Sequence, residues 1–174
     1  MNKTKLTKPR NVTFVKAGEQ SRHVGSVDDF GLMTGAQDWE LLVDVGKKLQ
    51  IPRDIVITTL RPDIVLFSRK QKLMFFLELT VPWETRINES YERKRLKYME
   101  LQELCNDNGW KAMVFPIEVG CRGFVGTSLV NTLSKLGIRG KAKKEVIKKA
   151  GEAAEKASNW LWIKRNDTVW EGKS

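Results

Sequence analysis

The strongest constraint on the fold is a helical run set between two strand-like runs. Residues 88–109, "NESYERKRLKYMELQELCNDNG", follow "LMFFLELT" (73–80) and precede "WKAMVFPIEVG" (110–120). A helix of about five turns between consecutive strands is a crossover connection, so the flanking strands are expected to pair in parallel. Asn88 is the expected helix cap and Gly109 its stop. Upstream, "DIVLF" (63–67) and "LMFFLELT" are joined by the polar "SRKQK", which reads as a hairpin. "WELLVDV" (39–45) alternates with period two and adds a further strand. Pro52 bars a central strand from the segment that follows, and Pro116 is expected to end the last one. "VDDFGLMTGAQD" (27–38) is ambiguous between a short helix and a loop, because its glycines weaken the helical reading. Strands with apolar residues on both faces imply a sheet covered by helices. The expected class is therefore α/β, with a central mixed sheet of about four strands flanked by helices.

Two carboxylates sit awkwardly in this pattern. Parity along 73–80 puts Met74, Phe76, Glu78 and Thr80 on one face, so Glu78 falls among residues that want burial. Asp63 opens the strand before it, and a hairpin through 68–72 sets the start of one strand beside the end of the other. Neighbouring like charges need a proton or a cation to hold them together. A hard divalent ion, Mg²⁺ or Mn²⁺, takes two carboxylates and fills its other positions with water and phosphate oxygens. The helical stripe Tyr91, Lys94, Tyr98, Leu101, Cys105 carries one intruder. Lys94 either snorkels from the core edge or points at something negative.

Composition decides the partner. The 174 residues carry a formal net charge of +10, which favours an anionic partner, nucleic acid first. The excess has an address. From Arg139 to Arg165, a stretch read from 141 onward as a long amphipathic helix, nine Lys or Arg stand against three Glu. Arg139, Lys141, Lys143, Lys144, Lys148 and Lys149, with Arg122 from the glycine-rich "GCRGFVG", are the candidate nucleic-acid contacts. "TSLVNTLSKLG" before it reads as a short helix capped by Thr127. Trp160 and Trp162 are expected to cover the end of the core, with base stacking as the alternative for these two and for Trp170.

Other chemistries drop out. The one histidine, His23, rules out histidine-pair and zinc-protease sites, and two cysteines, Cys105 and Cys121, cannot build a disulfide framework. Both are expected as buried thiols. "MNKTKLTKPRN" has no apolar segment of a secretory signal, and no run reaches the roughly 18 apolar residues of a membrane span. No membrane association is expected, and the location expected is intracellular and, for a DNA partner, nuclear. Residues 1–22 read as a basic arm, with "VTFV" (12–15) a candidate edge strand. Residues 23–174 read as one domain that includes the basic helical extension 139–165.

"RPD" at 61–63 and "ELT" at 78–80, with 14 residues between the acids, resemble the PD-(D/E)XK, or restriction-endonuclease-like, nucleases. The block "DWELLVDV", "LRPDIVLFS", "LELTVPWE", "YERKRLKY", "PIEVGCRGFVG" is more specifically similar to endonuclease-like segments associated with animal retroelements, over roughly residues 36–165. The resemblance implies an αβββαβ core with additional C-terminal helices here, and Mg²⁺-dependent cleavage of DNA, structure-specific or at the target site of a mobile element. It implies that Asp63 and Glu78 hold the metal. The family's motif lysine is Thr80 in this chain, which offers a hydroxyl and no positive charge. Some members carry the lysine on the following helix, a role that Lys94, or failing it Lys97, fits. The further upstream acid is assigned to Glu40, with Asp29 and Asp44 weaker alternatives. A homodimer, for cutting two strands, is implied by the same analogy. Two other readings stand beside the enzyme: a nuclease-derived DNA-binding module without catalysis, and a structural or protein-interaction domain whose charge serves solubility.

Overall fold

A computed structural model describes residues 31–166. The basic arm, "VTFV", His23, Asp29 and Trp170 lie outside the described residues.

Four strands form one mixed sheet in the order β1-β2-β3-β4: β1 Trp39–Val43, β2 Ile64–Ser68, β3 Leu73–Thr80 and β4 Lys111–Glu118. The first three are antiparallel neighbours, and β4 runs parallel to β3. The β2–β3 hairpin turns through 69–72, where Lys72 takes a positive φ of 50°. Helix α1, Ile87–Asp107, makes the crossover. It starts one residue before the expected Asn88 cap, continuing a 3-10 turn at Glu84–Arg86, and Gly109 terminates it at φ 78°. Helix α2 is Thr127–Leu136 and α3 is Gly140–Lys164. Gly126, rather than Thr127, is the α2 cap residue. The ambiguous 27–38 segment contributes a 3-10 turn, Leu32–Gly35, so no leading α-helix is present among the described residues.

The sheet buries both faces. On one, Val65, Phe67, Met74, Phe76 and Ala112 pack under Tyr98, Leu101 and Cys105 of α1 and against Leu49, Ile51, Ile55 and Val56 of the β1–β2 connection. On the other, Leu66, Phe75, Leu77, Phe115 and Ile117 pack under Leu129, Leu133 and Leu136 of α2 and Ala154 of α3. β1 is an edge strand covered incompletely, with Leu41 and Val43 half exposed.

Two expectations need correction. Pro116 does not end β4 but lies inside it, opposite Glu78. β4 is the outer strand, so an imino nitrogen facing its free edge removes no ladder hydrogen bond. Trp160 and Trp162 do not cover the core. α3 is anchored through its middle by Ile147, Ala150, Gly151 and Ala154, and runs past the sheet with Trp160, Leu161, Trp162 and Ile163 exposed. The Arg165 guanidinium stacks 3.8 Å from the Trp162 ring centroid. Cys105 is buried, and burial pushes its thiol up to about 11, whereas Cys121 is only partly covered.

Candidate metal centre

Hairpin pairing brings Asp63 beside Glu78, one step past the Ile64–Leu77 pair. The Asp63 N–H donates to Glu78 Oε2 at 3.3 Å, and the Leu79 N–H donates to Asp63 Oδ2 at 2.6 Å. Glu78 is buried and Asp63 is half-buried. Burial pushes the Asp63 carboxyl above the usual aspartate range. The like charges of Glu78 and Asp44 push the same way, and the Leu79 N–H and Lys94 oppose them.

Helix α1 lays its sheetward stripe over this end of β2 and β3. Where the stripe passes the last apolar residues it presents Lys94, whose Nζ lies 2.5 Å from Glu78 Oε1. The Lys94 side chain is only 19% exposed and that of Glu78 4%, so this is an ion pair largely removed from water. Lys97 Nζ stands 3.9 Å from the same oxygen, donates to the Tyr98 hydroxyl at 3.0 Å and lies 4.7 Å above that ring. Tyr98 in turn donates to the Arg61 carbonyl at 3.0 Å, tying α1 to the backbone two residues before Asp63. Burial, then the negative charge of Glu78, raise the Tyr98 phenol above its ordinary value, so it stays a neutral donor.

Glu40 is not brought to this cluster. It pairs with Phe67, four residues beyond Asp63 along β2, roughly 13 Å away at strand rise. Its exposed carboxylate meets Arg69 at 3.3 Å. Asp44, the residue just after β1, is the acid that adjoins Asp63, its N–H donating to the Asp63 carbonyl at 2.8 Å. One Asp44 oxygen accepts the Leu49 N–H at 2.8 Å.

Glu118 was not singled out in the sequence. β4 parity puts it with Ala112 and Val114 on the α1 face, and the parallel register sets it opposite Thr80. It is fully buried, and neither carboxylate oxygen has a hydrogen-bond partner; the Thr80 hydroxyl is buried without one too. Burial raises the Glu118 carboxyl; the neighbouring Ser128 hydroxyl, whose oxygen accepts the Glu118 N–H at 3.0 Å, opposes that rise first, then the Glu118 N–H, and the charge of Lys94 least. Placing the strand end at Pro116 hid this residue, although "PIEVG" carried the signal.

The donors present suit a hard cation. Mg²⁺ is held by one or two carboxylates plus waters and phosphate oxygens, which Asp63 and Glu78 can provide. No group of three or more His, Cys, Asp or Glu converges among the described residues.

The candidate nucleic-acid contacts divide between the turn after β4 and α3. Arg122 lies in the turn after β4, where its backbone N–H and Nε hold Glu84 at 2.9 and 3.0 Å. Glu84 is thereby kept below the usual range, chiefly by the Arg122 N–H. Arg139 is the α3 cap residue. Lys141, Lys144, Lys148 and Lys149 are exposed, Lys148 3.7 Å from Glu152 and Lys149 2.7 Å from Glu145. Lys143 instead reaches back to Ser134 Oγ at 2.5 Å. Because α3 packs on the sheet face opposite α1, the basic helix and the acidic centre occupy opposite faces. No helix among the described residues is long and apolar enough to cross a membrane. No protein-family model matches the chain, and no curated protein matches it.

Proposed function

We propose that this chain is a metal-dependent DNA endonuclease with a restriction-endonuclease-like core. The observation that carries the reading is the Lys94 ammonium on Glu78, beside Asp63, at the end of a hairpin under a crossover helix. Asp63 and Glu78 would hold Mg²⁺ or Mn²⁺. Such an ion, when bound, lowers the pKa of a water and stabilises charge on the attacked phosphate. Lys94 supplies from α1 the positive charge that Thr80 does not. Its ammonium sits in a poorly hydrated corner, where a charge beside the phosphate acts strongly in the transition state. Lys97, 3.9 Å from the same carboxylate, is the second cation within reach. Tyr98 fixes the helix that carries both. Arg122 follows β4 at the same end of the sheet and offers a backbone phosphate contact, while the exposed lysines of α3 would hold a more distant stretch of backbone. Cleavage of branched DNA or of a mobile-element target, a homodimer and a nuclear location are part of this proposal.

A binding module without catalysis is the second reading, favoured by Thr80 at the motif-lysine position. One experiment separates the two: incubation with duplex, single-stranded and branched DNA in Mg²⁺, Mn²⁺ or EDTA. The enzyme reading expects cleavage that needs the divalent ion and disappears in Asp63→Asn and Glu78→Gln while DNA binding persists. Binding without cleavage under every condition leaves the binding module.

A further inference from the structure

The mechanism above leaves three buried oxygens unused. Glu118 Oε1, Glu118 Oε2 and Thr80 Oγ1 are the buried side-chain atoms without a hydrogen-bond partner among the described residues, and they belong to one register pair. A buried acceptor left unsatisfied costs on the order of 1–3 kcal/mol, more for a charged group, so three together are an arrangement awaiting a donor. An ammonium carries three N–H donors and no acceptor, which matches this set.

Lys94 is placed to deliver one. Thr80 lies two residues beyond Glu78 on the same β3 face, and Glu118 stands opposite Thr80 on β4. Strand spacing then sets Glu78 and Glu118 roughly 8 Å apart at Cα, a diagonal pair on one face. Along β4, Ile87 and Tyr91 of α1 and Ser128 of α2 line a 280 Å³ cavity that reaches Glu118, while Tyr98 faces the Asp63 end. Lys94 lies between these turns, and its charge is felt at Glu118, though less than the Ser128 hydroxyl is. A flexible four-carbon stem with three rotatable donors suits a head that moves between two carboxylates on one face.

We propose that Glu118, with Thr80, is the second seat of the Lys94 ammonium, a positioning site that receives the lysine when a divalent cation takes Glu78. The inference deepens the reading of Asp63 and Glu78 as a metal centre and rests on it. In the metal-free protein Lys94 neutralises Glu78 and competes with the cation for its oxygens. Held by Glu118 and Thr80, the lysine vacates Glu78 and keeps an N–H for the phosphate. Lys135 and Ser128 of α2 also line the cavity and are the rival cation and the rival donor for Glu118.

The test is a Mn²⁺ titration calorimetry cycle on the full chain without DNA, comparing wild type, Lys94→Ala, Glu118→Gln and the double variant. Lys94→Ala should bind Mn²⁺ more tightly than wild type, since the competing ammonium is gone. Glu118→Gln should bind it roughly tenfold or more weakly, the scale of one charge-assisted hydrogen bond. In the Lys94→Ala background the Glu118→Gln change should shrink to less than about twofold. Thr80→Val, which removes one acceptor and no charge, should weaken binding in the same direction by less and should also lose its effect without Lys94. Equal effects of Glu118→Gln in both backgrounds would overturn the seat and leave Lys135 or a simple field effect. A wild-type chain that binds no Mn²⁺ at all would overturn the metal centre itself.

Discussion

Replacing Lys94 by Ala probes the centre most directly, because stability and chemistry should respond separately. The substitution leaves Glu78 buried at 4% side-chain exposure without the ammonium 2.5 Å away. Removing one partner of a buried ion pair costs about 3–5 kcal/mol, since the remaining charge stays desolvated. Here two groups soften the loss: Lys97 stands 3.9 Å from the same oxygen, and the Asp63 N–H donates to Glu78 at 3.3 Å. The low end, about 3 kcal/mol, is therefore expected. For a chain of this size that corresponds to a Tm roughly 6–12 °C lower. Adding Glu78→Gln should recover much of the loss, because the orphaned charge disappears. Mn²⁺ should also narrow the gap to wild type, since the variant presents Glu78 to the metal uncontested. Single-turnover cleavage should fall roughly 10²- to 10³-fold with DNA affinity little changed, the scale of one missing electrostatic donor in a transition state. Differential scanning calorimetry in EDTA and in Mn²⁺, with quenched cleavage assays, reads both effects. An unchanged Tm insensitive to Mn²⁺, together with full activity, would refute the buried-pair argument and shift the catalytic charge to Lys97.

Other consequences are testable on the same protein. The Asp63 pKa is raised in the folded state, so the native form holds its proton more tightly than the unfolded chain between the ordinary aspartate value and the raised one. Stability is lost as pH rises through that window, and Asp63→Asn should melt higher than wild type at neutral pH without metal, with the gap closing below about pH 4. A constant gap across acid titration would refute the linkage. DNA affinity should fall with salt at a log–log slope near −0.9 per duplex phosphate neutralised, and charge reversal at Lys144, Lys148 and Lys149 should weaken all sequences alike while leaving Mn²⁺ affinity unchanged. Binding indifferent to those reversals would place the DNA away from α3. Gly151→Ala should destabilise by about 1–3 kcal/mol, because its Cβ would stand 2.7 Å from the Gly123 carbonyl and push α3 off the glycine-rich turn. An unaltered melting curve would show that the contact yields.

The sequence alone determined the features that depend on short-range rules. The strand–turn–strand run of 63–80 could pair only as a hairpin, and a hairpin's register follows from its turn, so Asp63 beside Glu78 was legible from spacing. Helical periodicity likewise showed Lys94 as the intruder in a stripe that otherwise buries, and the crossover of about five turns implied the parallel β3–β4 pair. Pairings set across long connections were not legible. β1 and β2 are separated by twenty residues, and nothing local fixed whether Glu40 or Asp44 would meet Asp63. Tertiary register chose Asp44 and turned Glu40 to Arg69 at the surface. The same holds for Glu118: its strand could be read, but only the parallel register, set after a 21-residue helix had packed, put it opposite Thr80. Charge in the sequence located the basic helix along the chain and not in space. The small residues Gly151 and Ala154 let α3 settle against the turn and the sheet face away from α1, and that packing, which no periodicity encodes, left its tryptophans in solvent. Local geometry is written residue by residue, whereas register between distant strands and the choice of sheet face are decided by the whole core at once.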